Sequence, residues 1–175
     1  TAHLPIADCV AAQHYRLVHW RDSAGRLNYR RFFDVTGLIA IRVEDRDVFE
    51  ATHALLFELL DAGLIDGLRI DHPDGLANPA GYLRWLDERT GGSWVIAEKI
   101  LEGDEQLPAD WPNAGTSGYD ALLRVQQLFV DPAGERGLTA LWQAQSNDLT
   151  GLDELILEAK AQVVRDVLPA EINRL

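Results

Sequence analysis

At 175 residues, with 47% hydrophobic and 25% charged side chains, the chain has the composition of a folded globular domain, which excludes disorder, low complexity and collagen-like repeats. Twenty-eight acidic against sixteen basic residues leave a net charge of −12, which opposes nucleic acid and anionic membrane surfaces as partners. Apolar runs such as 54–57 and 94–97 fall far short of the roughly 20 residues of a membrane span, so no membrane partner is expected.

A single cysteine, Cys9, permits no internal disulfide and no cysteine metal cage, and it favours a reducing, cytoplasmic setting. The sequence begins at Thr1, contains no Met and shows no charged and apolar leader, which suggests a chain cut from something longer.

Residues 15–33 are dense in aromatic and basic side chains and suggest a short strand, a turn over Asp22 to Gly25 and a second extended piece. Apolar positions at Val48, Ala51, Leu55, Leu56, Leu59 and Leu60 then follow the period of a helix that stops at Gly63. Residues 64–71 and 93–100 form two buried strands. Between them a Pro-first helix over 79–89 carries Tyr82, Leu83 and Leu86 on one face. Strand, helix, strand with short links is the parallel βαβ unit, and the helix in front makes the order αβαβ. A stretch of about twenty residues without periodicity follows Ile100, and a loop that long in a compact domain is more often functional than idle. Helical spacing resumes over 121–130. A continuous apolar stripe from Leu152 through Leu155, Ile156, Ala159 and Val163 to Val167 asks for a partner surface.

On the first strand Gly67, Arg69 and Asp71 alternate to one side, and on the second Trp94, Ile96 and Glu98 do the same. Two carboxylates therefore close two consecutive strands at the carboxyl end, where open sheets and barrels bind ligands. On neighbouring strands about 4.8 Å apart, the carboxyls come within roughly 5 to 5.5 Å, the separation of glycosidases that retain anomeric configuration. Arg69 favours an ionised Asp71, the nucleophile, while desolvation of Glu98 beside Ile96 and Trp94 suits a general acid/base. Spacing alone also admits a blander reading, in which Arg69 with Asp71 is a structural ion pair and Glu98 with Lys99 a solvated strand end. His72 and Asp74 admit a metal, but no second His stands at ligand spacing, so no metal site is assigned.

GLRIDHPDGL at 67–76 followed by AEKIL at 97–101 resembles the nucleophile and acid segments of the α-amylase family of glycoside hydrolases. The run from Asp71 to Leu76 is that of its trehalose-forming branch. Supporting matches lie at NYRRFFDV (28–35), RVED (42–45), LPADWPNAGTSGYD (107–120) and LFVDP (128–132), in the family's order and over most of the chain. The chain departs from the pattern at Thr36-Gly37 and at Ser117. The early segment with a His and the late His-Asp segment of the family are not found.

The resemblance implies an α/β fold, namely part of a (β/α)8 barrel with parallel strands plus a C-terminal helical insertion. A strand and loop segment would occupy 1–45, the partial barrel 46–130 and the start of a helical subdomain 131–175. It implies an intramolecular transglycosylase that converts the reducing-end α-1,4 linkage of a maltooligosaccharide to an α,α-1,1 linkage with retention, without a cofactor. A retaining glucan hydrolase, or an inert carbohydrate-binding or structural piece, is the alternative. Asp71 and Glu98 are the expected catalytic pair. Arg69, His72, Asp74, Lys99, Tyr119, Arg30, Arg31 and Asp34 are the expected sugar contacts, and Trp111 with Tyr119 suggests a lid. Missing the transition-state Asp, the isolated chain is expected to be inert, and its uncovered stripe to drive self-association.

Overall fold

The computed structural model describes residues 5–175, apart from the side chains at positions 23 and 24. Its elements run α1 (Ile6–Ala11), a 3-10 turn at Trp20–Asp22, α2 (Ser23–Arg26), β1 (Arg31–Phe32), β2 (Val35–Ile39), α3 (Arg46–Asp61) and β3 (Gly67–Ile70). A 3-10 turn at Pro73–Gly75, α4 (Pro79–Thr90), β4 (Trp94–Ala97), β5 (Gly115–Thr116) and α5 (Tyr119–Gln127) follow. A last 3-10 turn at Pro132–Gly134 leads to α6 (Glu135–Ser146), α7 (Leu152–Asp166) and α8 (Pro169–Ile172). The chain forms two compact units: Ile41–Asp148, and the described residues up to Ala40 joined by Leu149–Leu175.

In the first of these units, α3 begins where the Asp45 side chain accepts the Asp47 amide, and α4 where Asn78 accepts that of Gly81 ahead of Pro79. Gly91, at φ 66, ends α4 in the left-handed conformation that a side chain adopts only under strain. The expected helix over 79–89 and its buried face of Tyr82, Leu83 and Leu86 match the observed α4. The expected face of α3 is met only in part: Val48, Leu56, Leu59 and Leu60 are half-buried, with Leu56 and Leu60 packed against the core, but Ala51 and Leu55 are exposed and the fully buried side chains are Phe49, His53 and Phe57. Aromatic rings at i, i+4 and i+8 bury more area than the aliphatic stripe beside them, so the helix rolls toward them. Phe49, Phe57, Leu68, Tyr82, Leu83, Leu86 and Val95 make one core between these helices and the sheet.

β3, β4 and β5 are parallel in that order, with Leu68 beside Val95 and Ile70 beside Ala97. Each of the two expected strands keeps only four residues, and only one face of each is covered. Leu68, Val95 and Ala97 are buried against the helices, whereas Trp94 is 60% exposed on the opposite face. β5 lies inside the stretch expected to be a loop. Its two residues are too short for any periodicity to register. α5 starts two residues before the expected helix and ends three before it.

In the other unit, the first strand expected within 15–33 does not form: residues 16–19 take no regular structure, and a 3-10 turn and α2 follow over Trp20–Arg26. The His19 carbonyl accepts the Asp22 amide, and Asp22 pairs with Arg26 one turn on, so local partners satisfy this segment without a neighbouring strand. Only Arg31–Phe32 is extended, pairing antiparallel with β2 around Phe33, whose φ is 49. Leu27 and Ala170 are buried there, while Leu152, Ile156, Val163 and Val167 of the α7 stripe are exposed. No helix among the described residues is long and apolar enough to cross a membrane.

Candidate active site

The ladder between β3 and β4 continues one step past the strands, where the Glu98 amide donates to the Ile70 carbonyl at 2.7 Å. That bond fixes Glu98 beside the chain leaving β3, on the face opposite the helices. Arg69 projects from the same face and forks between the two acids. Its Nη1 lies 2.8 Å from Asp71 Oδ1 and its Nη2 3.1 Å from Glu98 Oε1. One planar guanidinium thus holds both carboxyls, an arrangement its paired donors suit. Both carboxyls thus stand at the ends of adjacent parallel strands and share one cation, the placement that a retaining pair needs.

The Glu98 carboxyl beside it, then the guanidinium of Arg69, hold the Asp71 carboxyl below the usual carboxylate range. Asp71 is therefore kept ionised. Its side chain is 64% exposed against 21% for Glu98. The difference in burial has the expected direction but not the expected cause, because Trp94 stands in solvent. Glu98 is covered instead by polar neighbours. The His72 amide donates to its Oε2 at 3.1 Å and the Tyr119 hydroxyl to its Oε1 at 3.1 Å.

His72 adopts φ 47 and ψ 50, the left-handed region, and so reverses the chain from the strand end into the turn at Pro73–Gly75. Its ring lies over Gly75, where an added Cβ would stand 2.7 Å from His72 Cδ2. Glycine is needed there for close approach. Asp74, on that turn, accepts from Lys99 Nζ at 3.1 Å, and the same ammonium reaches Glu105 Oε1 at 2.9 Å. The Glu105 and Asp74 carboxylates raise the Lys99 ammonium above its usual value against its burial, and Lys99 in turn lowers Glu105.

Asp71, Glu98, Arg69, His72, Asp74, Lys99 and Tyr119 are thus brought together on one unit. Arg30, Arg31 and Asp34 are in the other. There Arg31 is engaged by the Glu171 carboxylate at 2.9 Å, the Asp34 carbonyl and the Thr36 hydroxyl, a local tie between the hairpin and α8. Thr36, one of the departures from the family pattern, serves this network. The other departure, Ser117, has a buried hydroxyl oxygen without a hydrogen-bond partner among the described residues. Trp111 is packed against the hydrophobic core, and Asp110 beside it reaches Arg84 of α4 at 3.6 Å, so the expected aromatic lid is half structural. Sequence reasoning missed Glu105, which sits in an aperiodic stretch with nothing to mark it. It also missed that Tyr119 touches Glu98. The signal available for that was the glycine and the helix start beside it.

An ionised carboxylate next to a second carboxyl, on the open face of a sheet whose other face is sealed, can form and release a covalent ester. No protein-family model matches the chain. It is 43% identical over 164 residues to a putative maltooligosyl trehalose synthase of Mycobacterium tuberculosis, covering 93% of this chain and 21% of that protein. Among solved structures it superposes on the maltooligosyltrehalose synthase of Arthrobacter ramosus with a TM-score of 0.88 and 46% identity, over 99% of this chain and 23% of that one. A hypothetical maltooligosyl trehalose synthase of Sulfolobus tokodaii gives 0.81 and 38%, over 97% of this chain and 22% of that one. The resemblance to the trehalose-forming branch of the α-amylase family therefore extends along nearly the whole chain, which spans about a fifth of the length of the relatives it matches.

Proposed function

We propose that this chain is a stretch of a maltooligosyl trehalose synthase and that it carries the nucleophile and the acid/base of the rearrangement. Its three parallel strands are then consecutive strands of a (β/α)8 barrel, and the face bearing Gly67, Arg69, Trp94 and Ile96 lines the barrel's interior. The observation that carries the reading is the single guanidinium of Arg69 shared by two carboxylates at the ends of adjacent parallel strands.

Asp71 attacks the anomeric carbon of the penultimate glucose of a maltooligosaccharide. The glycosidic carbon–oxygen bond breaks, and Glu98 gives its proton to the departing O4 of the terminal glucose. That glucose turns over without leaving. Its own anomeric hydroxyl then attacks the glycosyl ester, Glu98 takes the hydroxyl proton, and Asp71 departs as a carboxylate. Two inversions retain configuration and leave an α,α-1,1 linkage. No bond changes oxidation state, so no redox cofactor enters the balance. His72 and Asp74, on the turn that follows the nucleophile, are placed to meet sugar hydroxyls, and water must be kept out or hydrolysis competes.

Incubating the full-length protein containing this stretch with maltopentaose tests the reading. Loss of reducing ends without shortening of the chain is the expected result. A gain of reducing ends would make it a hydrolase, and no change at all with full binding would make it a carbohydrate-binding module.

A further inference from the structure

Residues 115–120, GTSGYD, close the matched run 107–120 beside Glu98. The structure gives each position a mechanical part. Gly115–Thr116 is the third strand, and the Ser117 amide donates to the Ala97 carbonyl at 3.0 Å, next to Glu98. The Thr116 hydroxyl donates to the Asp120 carboxylate and accepts from the Gly118 amide at 3.2 Å, which closes the turn on itself. Gly118 takes φ 101, where nothing within 4 Å would obstruct a Cβ but the backbone itself forbids one without strain. α5 then begins at Tyr119, and its phenol ends on Glu98 Oε1.

We propose that Tyr119 is a positioning residue for the acid/base: its hydroxyl holds the Glu98 carboxyl in place, and the GTSGYD turn exists to aim it. The inference rests on Glu98 being the acid/base. It replaces the expectation that Tyr119 offers its ring to the sugar.

The groups that face Glu98 are Arg69 and Asp71 from β3 and its end, the amide of His72 with its imidazole on the following turn, and Tyr119 from α5. Lys99, next in the chain, is turned toward Asp74 and Glu105. Oε1 meets Arg69 Nη2 and the Tyr119 hydroxyl and Oε2 meets the His72 amide, so the carboxyl is held by three donors. Of the three donors, the phenol is the one on a rotatable bond at the solvent edge, since Tyr119 is 41% exposed. It can swing aside when the glycosidic oxygen arrives to take the Glu98 proton, and return once the carboxyl is charged.

The test uses the full-length protein with maltopentaose, in four variants: Tyr119→Phe, Gly118→Ala, the double variant and Glu98→Gln. Tyr119→Phe keeps the ring and is expected to fold. It should leave KM within about twofold and lower kcat about 5- to 30-fold. Gly118→Ala, which keeps the phenol but misdirects it, should lower kcat similarly and add little in the double variant. An unchanged kcat with a raised KM would make Tyr119 a sugar contact and overturn the proposal. So would additive losses in the double variant. Glu98→Gln separates the two levels: if it stays active, the acid/base assignment fails and this inference with it, whereas an inactive Glu98→Gln beside a Tyr119→Phe of unchanged kcat defeats this inference alone.

Discussion

Replacing Tyr82 by Phe deletes one oxygen from the core that supports the site's sheet. Tyr82 is 6% exposed and His53 8%, and the phenol lies 2.8 Å from His53 Nε2. His53 Nδ1 is 2.9 Å from the Phe49 carbonyl, which can only accept, so Nδ1 carries the hydrogen and Nε2 accepts from Tyr82. Phe at position 82 keeps the edge contact with Phe49, whose centroid is 5.7 Å away, so packing is nearly conserved. What remains is a buried imidazole nitrogen without its donor, which costs about 1–3 kcal/mol. With a urea dependence near 2 kcal/mol per molar, the unfolding midpoint of the purified chain should fall by about 0.5–1.5 M at pH 7.5. The pH dependence sharpens the test. Burial holds His53 below its usual value, so the unfolded chain takes up a proton before the folded one does, and stability drains away as pH falls through about 6.5. Without the phenol, Nε2 is free to accept that proton in the folded state. The gap between the variant and the parent should therefore narrow toward pH 5. Equal midpoints at pH 7.5, or a gap that stays constant with pH, would refute the tautomer and the partnership together. Tyr82 itself, pushed up to about 12 by burial, adds stability that is whole below pH 10 and is lost as pH rises toward 12.

Gly67→Ala should destabilise the chain by about 1–3 kcal/mol in thermal melts, because a Cβ there would stand 2.5 Å from the Trp94 carbonyl oxygen and 3.1 Å from its ring; an unchanged midpoint would deny the close pairing of β3 and β4. The isolated chain should make no trehalose-terminated product from maltopentaose, since groups that act as a unit lose most of their effect when one is missing; detectable product would contradict this. It should also self-associate at micromolar concentration through the exposed stripe of Leu152, Ile156, Val163 and Val167. Light scattering that returns a strictly monomeric mass would remove that expectation.

What the sequence made legible was whatever a short period or a local rule encodes. α4 was readable to within a residue because its Pro start, its apolar spacing and its glycine stop all agree. The pairing of Asp71 with Glu98 followed from strand alternation and the βαβ order. The face of α3 was legible only in part, because counting apolar positions ignores ring size, and the aromatic stripe through Phe49 and Phe57 includes a histidine that hydropathy discounts. β5 was invisible because its register depends on Ile96 and Ala97, far away in sequence, rather than on its own two residues. The covering of Glu98 was assigned to the wrong neighbours for the same reason. Trp94 is adjacent along the strand but turned to solvent, while Tyr119 is distant in sequence and touches it.

The central claim is that Asp71 becomes covalently glycosylated, and trapping that ester tests it most directly. The full-length protein would be treated with a 5-fluoro-maltosyl fluoride, which forms the glycosyl enzyme faster than it is discharged, then digested and sequenced by mass spectrometry. The account predicts one added sugar mass on the carboxyl of Asp71, absent in Asp71→Asn, and slower to appear with an unactivated substrate when Glu98 is Gln. A label on Glu98, on any other carboxylate, or turnover with no trapped ester under any condition would contradict it.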